Sequence, residues 1–333
     1  LFKRSTKYLL LCGQCLGLNP VRGITAKDSS KLSGIIYMFA AFVCFYGSCF
    51  ASSFLFILIG QKWPILAKKI TNSLLDEYVD ERVIFKCNLA TALILFLSIF
   101  KDNVYKMYIE YNFSWFYEAG IPDSIPMSLI LQVLNIISTI NWNYSDLFIM
   151  CMSFYLTSIL NKINDKIIQS KEKRLPPPFW RLLREDYTRA TGLVYAFDDA
   201  ISHLVFTSFA TNLFFICLQL FNILAPFGGY EGTAYFTFST LFILGRFVVV
   251  SLVAARVHSA SRIPALALYD IPSSVYCDEV QRFIEQVHGN VVALSGLQFF
   301  YVTKQLVLSI AGTIVTYELV LLQFNGENMI QKT

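Results

Sequence analysis

Six apolar stretches run along the chain, at about 33–60, 84–101, 127–160, 196–224, 233–256 and 293–324. As helices, each is long enough to cross the ~30 Å of hydrocarbon in a bilayer. The two-residue alternation of a membrane barrel is absent, and an open strand cannot satisfy its backbone in lipid. The pattern therefore predicts an all-α fold, a polytopic helical bundle in a membrane. Composition points the same way. Of 333 residues, 55% are hydrophobic and 15% charged, against roughly 25% charged in soluble domains. That is too little charge to cover a soluble surface of this size.

The basic residues sit between the apolar stretches and assign their sides. Segments 1–32, 61–83 and 161–195 carry six, four and eight Lys and Arg, and 257–292 carries two with Arg256 at its edge. The positive-inside rule places these four in the cytoplasm, and 101–126 and 225–232 outside. Segments 1–32 and 61–83 then share a side, so an even number of spans should separate them. Residues 33–60, about 42 Å as a helix, allow one. Residues missing near Phe50 resolve the conflict and give seven transmembrane helices with the N-terminus inside; one tilted span with a misleading charge bias is the alternative. Net charge is +4 with no long basic block, which argues against a nucleic-acid partner.

Polar residues inside the spans carry the candidate chemistry. On the last span, Ser309, Thr313, Thr316, Val320 and Gln323 follow steps of four and three and share one helical face. Such a stripe can line water or simply pack helix on helix. Glu318 lies off it. Gln132, Asn135, Ser138 and Trp142 share a face of the third stretch, with Asp146 further along. Ser208, Asn212, Phe215, Gln219 and Asn222 share a face of the fourth, and Tyr235 and Ser239 begin the fifth. Asp146 and Arg246, both in inner halves, are read as a structural salt bridge or gating link. Asp102, beside Lys101, tops the second stretch at a pocket mouth or the interface. The sequon Asn112-Phe-Ser114 falls in an outside loop open to glycosylation, whereas Asn143-Tyr-Ser145 lies inside a span and should be silent. Asp198, Asp199 and His203 lack a second nearby histidine, and the sequence calls for no catalysis, metal or cofactor.

The last stretch reads Gly312-Thr-Ile-Val-Thr-Tyr-Glu-Leu-Val-Leu-Leu-Gln-Phe324. Thr316-Tyr317, five mostly apolar residues, then Gln323-Phe324 resembles the signature of insect gustatory receptors, and the Glu318-Leu-Val-Leu-Leu filling resembles the sugar-receptor subfamily. Gly17-Leu-Asn-Pro-Val21, Trp63-Pro64, Trp142-Asn-Tyr-Ser-Asp-Leu-Phe148 and Asn212-Leu-Phe-Phe-Ile-Cys217 support it. The resemblance implies a tetrameric ligand-gated cation channel, with the last helix (293–325) lining a central pore before an outside tail (326–333). It implies a pocket within 33–260 that opens outward, and cytosolic anchor extensions at 161–195 and 259–292. It places Gln323 and Phe324 at the outer gate with Val320 below. Glu318, a charge inside a span about 10 Å from its outer end, is read as pairing with a neighbouring helix or as raising cation density near the gate, and Tyr317 beside it as structural or gating.

A sugar needs convergent amides, carboxylates and hydroxyls beside an aromatic plate. The polar faces named above offer these, and the same residues also suit helix-to-helix bonds. The resulting expectation is a taste receptor for mono- or disaccharides in the plasma membrane of chemosensory neurons. It would pass Na⁺, K⁺ or Ca²⁺ as a homotetramer, or with related receptors as a hetero-oligomer. The alternatives are a metabotropic seven-helix chemoreceptor, opposed by the basic N-terminal segment, an obligate subunit of a hetero-oligomer, and a transporter, which would show inverted repeats and broken half-helices.

Overall fold

The computed structural model describes residues 30–73, 75, 78–112, 125–170, 173, 175–224, 230–273 and 275–330. Side chains are described over 41–100, 133–220, 237–317 and 319, apart from 74, 76, 77, 171, 172, 174 and 274. These residues form seven helices and one short hairpin: α1 (Ser30–Ser73), α2 (Arg82–Asn112), α3 (Ile125–Ser170), α4 (Pro177–Leu224), α5 (Tyr230–Tyr269), α6 (Asp278–Gly289), β1 (Ser295–Gly296), β2 (Phe300–Tyr301) and α7 (Lys304–Ile330). Five helices hold stretches long and apolar enough to cross a membrane among the described residues: Ala41–Ser73, Arg82–Phe100, Val133–Ser170, Pro177–Leu220 and Thr237–Tyr269. The chain is a helical membrane bundle.

Packing divides the helices into a centre and a rim. Helices α3, α4 and α5 pack on one another, with α1 against α4 and α3, and α2 against α3 and α5. The apolar windows of α1 and α2 are only 22% and 17% buried, whereas those of α3, α4 and α5 are 56–61% buried. Phe50, Ile57 and Ile65 on α1 and Phe85 and Phe96 on α2 are accordingly exposed, as a lipid-facing surface requires. Helix α4 starts at Pro177 in the run Pro176–Pro178, where a missing N–H costs nothing. Helix α6 has a different pattern. Val280, Phe283, Ile284 and Val287 are buried at three- and four-residue spacing, and Asp278 and Glu279 occupy its first turn, complementing the helix dipole. It packs on α5 and α4, with Arg184 Nε 3.0 Å from Glu279 Oε2 and the Tyr187 and Phe283 rings 5.3 Å apart.

Three helix boundaries bear on the sequence expectations. Helix α1 passes unbroken through Phe50, where two spans were expected to meet. No proline or polar run interrupts 41–60, so with no loop in the sequence the helix continues. The described residues thus hold six long helices and one short one. The last helix begins at Lys304, not at 293. Residues 295–301 form an antiparallel hairpin instead, with Ser295 opposite Tyr301 and Gly296 opposite Phe300. Its turn needs positive φ at Leu297 (53°) and Gln298 (61°), which a helix cannot accommodate. Helix α7 also runs on to Ile330, through most of the segment expected to be a tail.

Candidate functional site

The bundle centre holds a polar cluster assembled from four helices. Asp146 on α3 and Arg246 on α5 are both buried, with Arg246 Nε 3.0 Å from Asp146 Oδ2. That contact lies off the N–H direction, since Arg246 Nε makes no directed hydrogen bond, so the attraction there is Coulombic. Directed bonds surround it. Asp146 accepts from the Ser208 hydroxyl and, at 3.2 and 3.3 Å, from Asn212 Nδ2, both on α4. Arg246 donates to Asn143 Oδ1, and through Nη2 to Asn212 Oδ1 at 2.9 Å. Asn143 Nδ2 donates in turn to Ser98 Oγ on α2 at 3.0 Å. A buried ion pair costs several kcal/mol of desolvation per ion unless its remaining hydrogen-bonding groups are satisfied. Here the asparagines and serines do that.

The cluster also fixes an aromatic wall. The Arg246 guanidinium carbon lies 4.4 Å from the centre of the Trp142 ring, within cation–π range. Trp142 packs against Phe215 on α4 at 5.0 Å and Phe45 on α1 at 6.0 Å. Its indole N–H is buried without a partner among the described residues. One turn along α4 from Phe215, Gln219 Nε2 donates to Ser239 Oγ at 3.3 Å, and Gln219 Oε1 is likewise buried and unpaired. Buried polar atoms are ordinarily bonded, and an unmet one costs about 1–3 kcal/mol. An orphan donor and an orphan acceptor beside one aromatic wall suit a ligand that carries hydroxyls.

The structure thus brings together Trp142, Asp146, Asn212, Phe215, Gln219 and Arg246 from the sequence-predicted set. Asp146 is fully buried and bonded to Ser208 and Asn212 beside Arg246. Ser138 is buried one turn before Trp142, its carbonyl accepting from Cys49 Sγ at 3.4 Å, and Asn135 is half-buried. Gln132, Asp102 and Tyr235 lie on α3, α2 and α5, and their side chains fall outside the described residues. So do the side chains of Glu318, Val320, Gln323 and Phe324 on α7 and of Asn112, the last residue of α2, and the rest of the Asn112 sequon. On α7, Ser309, Thr313 and Thr316 are exposed, while Val307 and Ile314 are buried and Tyr317 half-buried. These three hydroxyl residues face away from the described bundle, as do Leu308, Val315 and Leu319 on the same helix. Thr313 and Thr316 donate back to the Ser309 and Gly312 carbonyls at 3.0 and 2.9 Å, which leaves their oxygens turned outward as acceptors. Asn143, read from sequence only as a silent sequon, and Ser98 were not singled out as members of a polar cluster. The available signal was helical spacing, since Asn143 precedes Asp146 by three residues.

Comparison with known proteins identifies the family and the fold. Residues 97–333 match the family described as Trehalose receptor. Gustatory receptor for sugar taste 64f of Drosophila melanogaster is 31% identical over 98% of this chain and 81% of its own length. That alignment runs to 382 positions against 333 residues here, so the relative carries segments without a counterpart in this chain. Gustatory receptor 5a for trehalose, from the same organism, is 37% identical over 59% of this chain and 44% of its own length. Among solved structures, insect olfactory receptor OR5 of Machilis hrabei in complex with eugenol superposes with a TM-score of 0.60, covering 97% of this chain and 98% of that one at 13% identity. That likeness is one of fold.

Proposed function

The chain belongs to the Trehalose receptor family, alongside sugar gustatory receptors of Drosophila, and from that premise we propose that it is a taste receptor opened by sugars: a non-selective cation channel of four copies in the chemosensory plasma membrane. The observation that carries the sugar assignment is Trp142, a buried aromatic plate with an unmet N–H, one helical turn from the level of an unmet Gln219 oxygen. A pyranose presents an apolar C–H face to such a plate and hydroxyls to both orphan atoms. Asn135 and Ser138 stand on the same helix as the plate, and Gln132, Tyr235 and Asp102 extend the candidate site toward the side assigned to the outside. Asp146 and Arg246 hold the wall in place from below and do not touch the ligand.

The channel assignment draws on α7. A hydroxyl stripe with no partner helix among the described residues suits a water-filled axis shared by several copies. Val320, Gln323 and Phe324 would continue it toward the gate. Sugar opens such a pore only as far as it prefers the open arrangement, so millimolar affinity, roughly −4 kcal/mol, is adequate for a food sensor.

The test is whole-cell recording from non-taste cells expressing the chain alone, with a sugar panel and a bitter control, repeated with Gln323→Ala. A rapid sugar-evoked cation current altered by the substitution supports the proposal. Silence with surface expression confirmed points to an obligate hetero-oligomeric partner. A slow response abolished by blocking G-protein signalling refutes the channel.

A further inference from the structure

The hairpin between α6 and α7 is fastened to α4 by a feature the site does not use. Asp198 on α4 accepts two bonds from one residue of the hairpin, from the Ser295 backbone N–H at 2.6 Å and from the Ser295 hydroxyl at 2.9 Å. The same hydroxyl accepts the Gln298 N–H at 3.3 Å. The turn closes through Phe299 N–H to the Gly296 carbonyl at 3.0 Å, and Val302 N–H reaches the Leu294 carbonyl at 2.8 Å. Its two central residues, Leu297 and Gln298, both adopt positive φ, although neither is a glycine. Backbone of that kind persists only where its surroundings hold it.

Aromatic packing completes the attachment. Phe300 lies against Phe206 and Phe209 of α4, at ring distances of 6.5 and 5.5 Å. Gly296 leaves the room for it, since a Cβ there would fall 2.3 Å from the Phe300 ring. Helix α5 pins the approach, with Ser261 Oγ donating to the Val292 carbonyl at 3.2 Å and Arg262 to the Val287 carbonyl at 2.8 Å. Helix α7 starts only three residues after Tyr301, with Thr303 Oγ1 accepting the Leu306 N–H at 3.2 Å.

The same helix α4 carries Ser208 and Asn212, the partners of Asp146. Asp198 and Ser208 are ten residues apart, about 15 Å along α4. A displacement at the Trp142 wall that moves α4 therefore reaches α7 through a short, doubly bonded clamp and not through a slack loop. We propose that residues 294–302 form the link that passes movement of α4 to the last helix, with Asp198 the positioning residue that makes it stiff. This role rests on the sugar-gated channel reading.

The test uses the full chain and compares Asp198→Ala, Ser295→Ala, the double variant and Asp199→Ala. Asp199 is the control: its carboxylate is exposed and, among the described residues, meets only Lys62, at 2.9 Å. Labelled sugar binding to membranes, sugar-evoked current per surface receptor, and hydrogen exchange of the purified protein are all measured. Asp198→Ala should leave sugar binding within about twofold, cut the maximal current at least tenfold and speed exchange over 294–302 and the first turn of α7. Ser295→Ala should have a smaller effect, the double variant should add nothing to Asp198→Ala, and Asp199→Ala should match the wild type. Unchanged current, or hairpin exchange unchanged by Asp198→Ala, overturns the proposal. Should Asp198→Ala fail to reach the surface, Ser295→Ala decides: wild-type current then overturns the link. A wild-type chain that binds sugar without passing current refutes the channel reading and the coupling role with it, while exchange still decides whether Asp198 holds the hairpin.

Discussion

Replacing Arg246 with Met tests the central cluster. The Asp146 and Arg246 side chains are 0% and 3% exposed, so neither charge can turn to water when the other is lost. Arg246→Met strands the carboxylate with only Ser208 and Asn212 as donors, strips the Asn143 and Asn212 oxygens of theirs, and removes the cation from Trp142. Breaking a buried pair from one side costs about 3–5 kcal/mol. Removing both charges together leaves no stranded ion, and apolar replacements of buried pairs are often close to neutral. Asp146→Leu with Arg246→Met is therefore expected to be more stable than either single variant, with a coupling energy of about 2 kcal/mol or more. The assay is unfolding of the detergent-solubilised receptor for wild type, both singles and the double, with surface expression as a parallel measure. If the double variant loses the sum of the two single losses, the pair is not an energetic unit and the account of the cluster is wrong.

Three further outcomes are expected. Trp142→Phe keeps the plate and deletes the unmet N–H, so the half-effective sugar concentration should rise about 3- to 10-fold, the worth of one hydrogen bond of about 1 kcal/mol; an unchanged dose–response removes the indole N–H from the site. Gly296→Ala drives a methyl into the Phe300 ring and should cost about 1–3 kcal/mol, the usual penalty of overpacking, seen as faster exchange over the hairpin; wild-type exchange would contradict the close approach. Tyr78, in the connection from α1 to α2, donates to Asp186 at 2.7 Å and accepts from Lys166 at 2.7 Å. Burial and then the Asp186 bond raise its phenol above the ordinary 10. The fold thus favours the protonated form, so its contribution is complete below pH 10 and is lost as pH rises through the folded value. Tyr78→Phe should flatten that alkaline loss of thermal stability, and an unaltered profile above pH 10 would refute the assignment.

The sequence by itself determined the class of the molecule. Apolar length and the absence of a two-residue period give helices in a membrane, because lipid offers the backbone no partners. The spacing of Ser309, Thr313 and Thr316 placed them on one face, and the Thr316-Tyr317 to Gln323-Phe324 signature gave the family. Tertiary structure decided what spacing along one helix does not contain. Asp146 and Arg246 stand 100 residues apart in sequence, and whether they meet depends on how α3 and α5 register. Asn143, a silent sequon by sequence, becomes the acceptor for Arg246 for the same reason. The hairpin at 295–301 was hidden inside an apolar run, since composition does not distinguish a buried turn from the start of a helix. Asp198, Ser295 and the room left by Gly296 fix that turn only once α4 lies beside it. Local pattern sets each element, and long-range contact sets which polar groups share a bond.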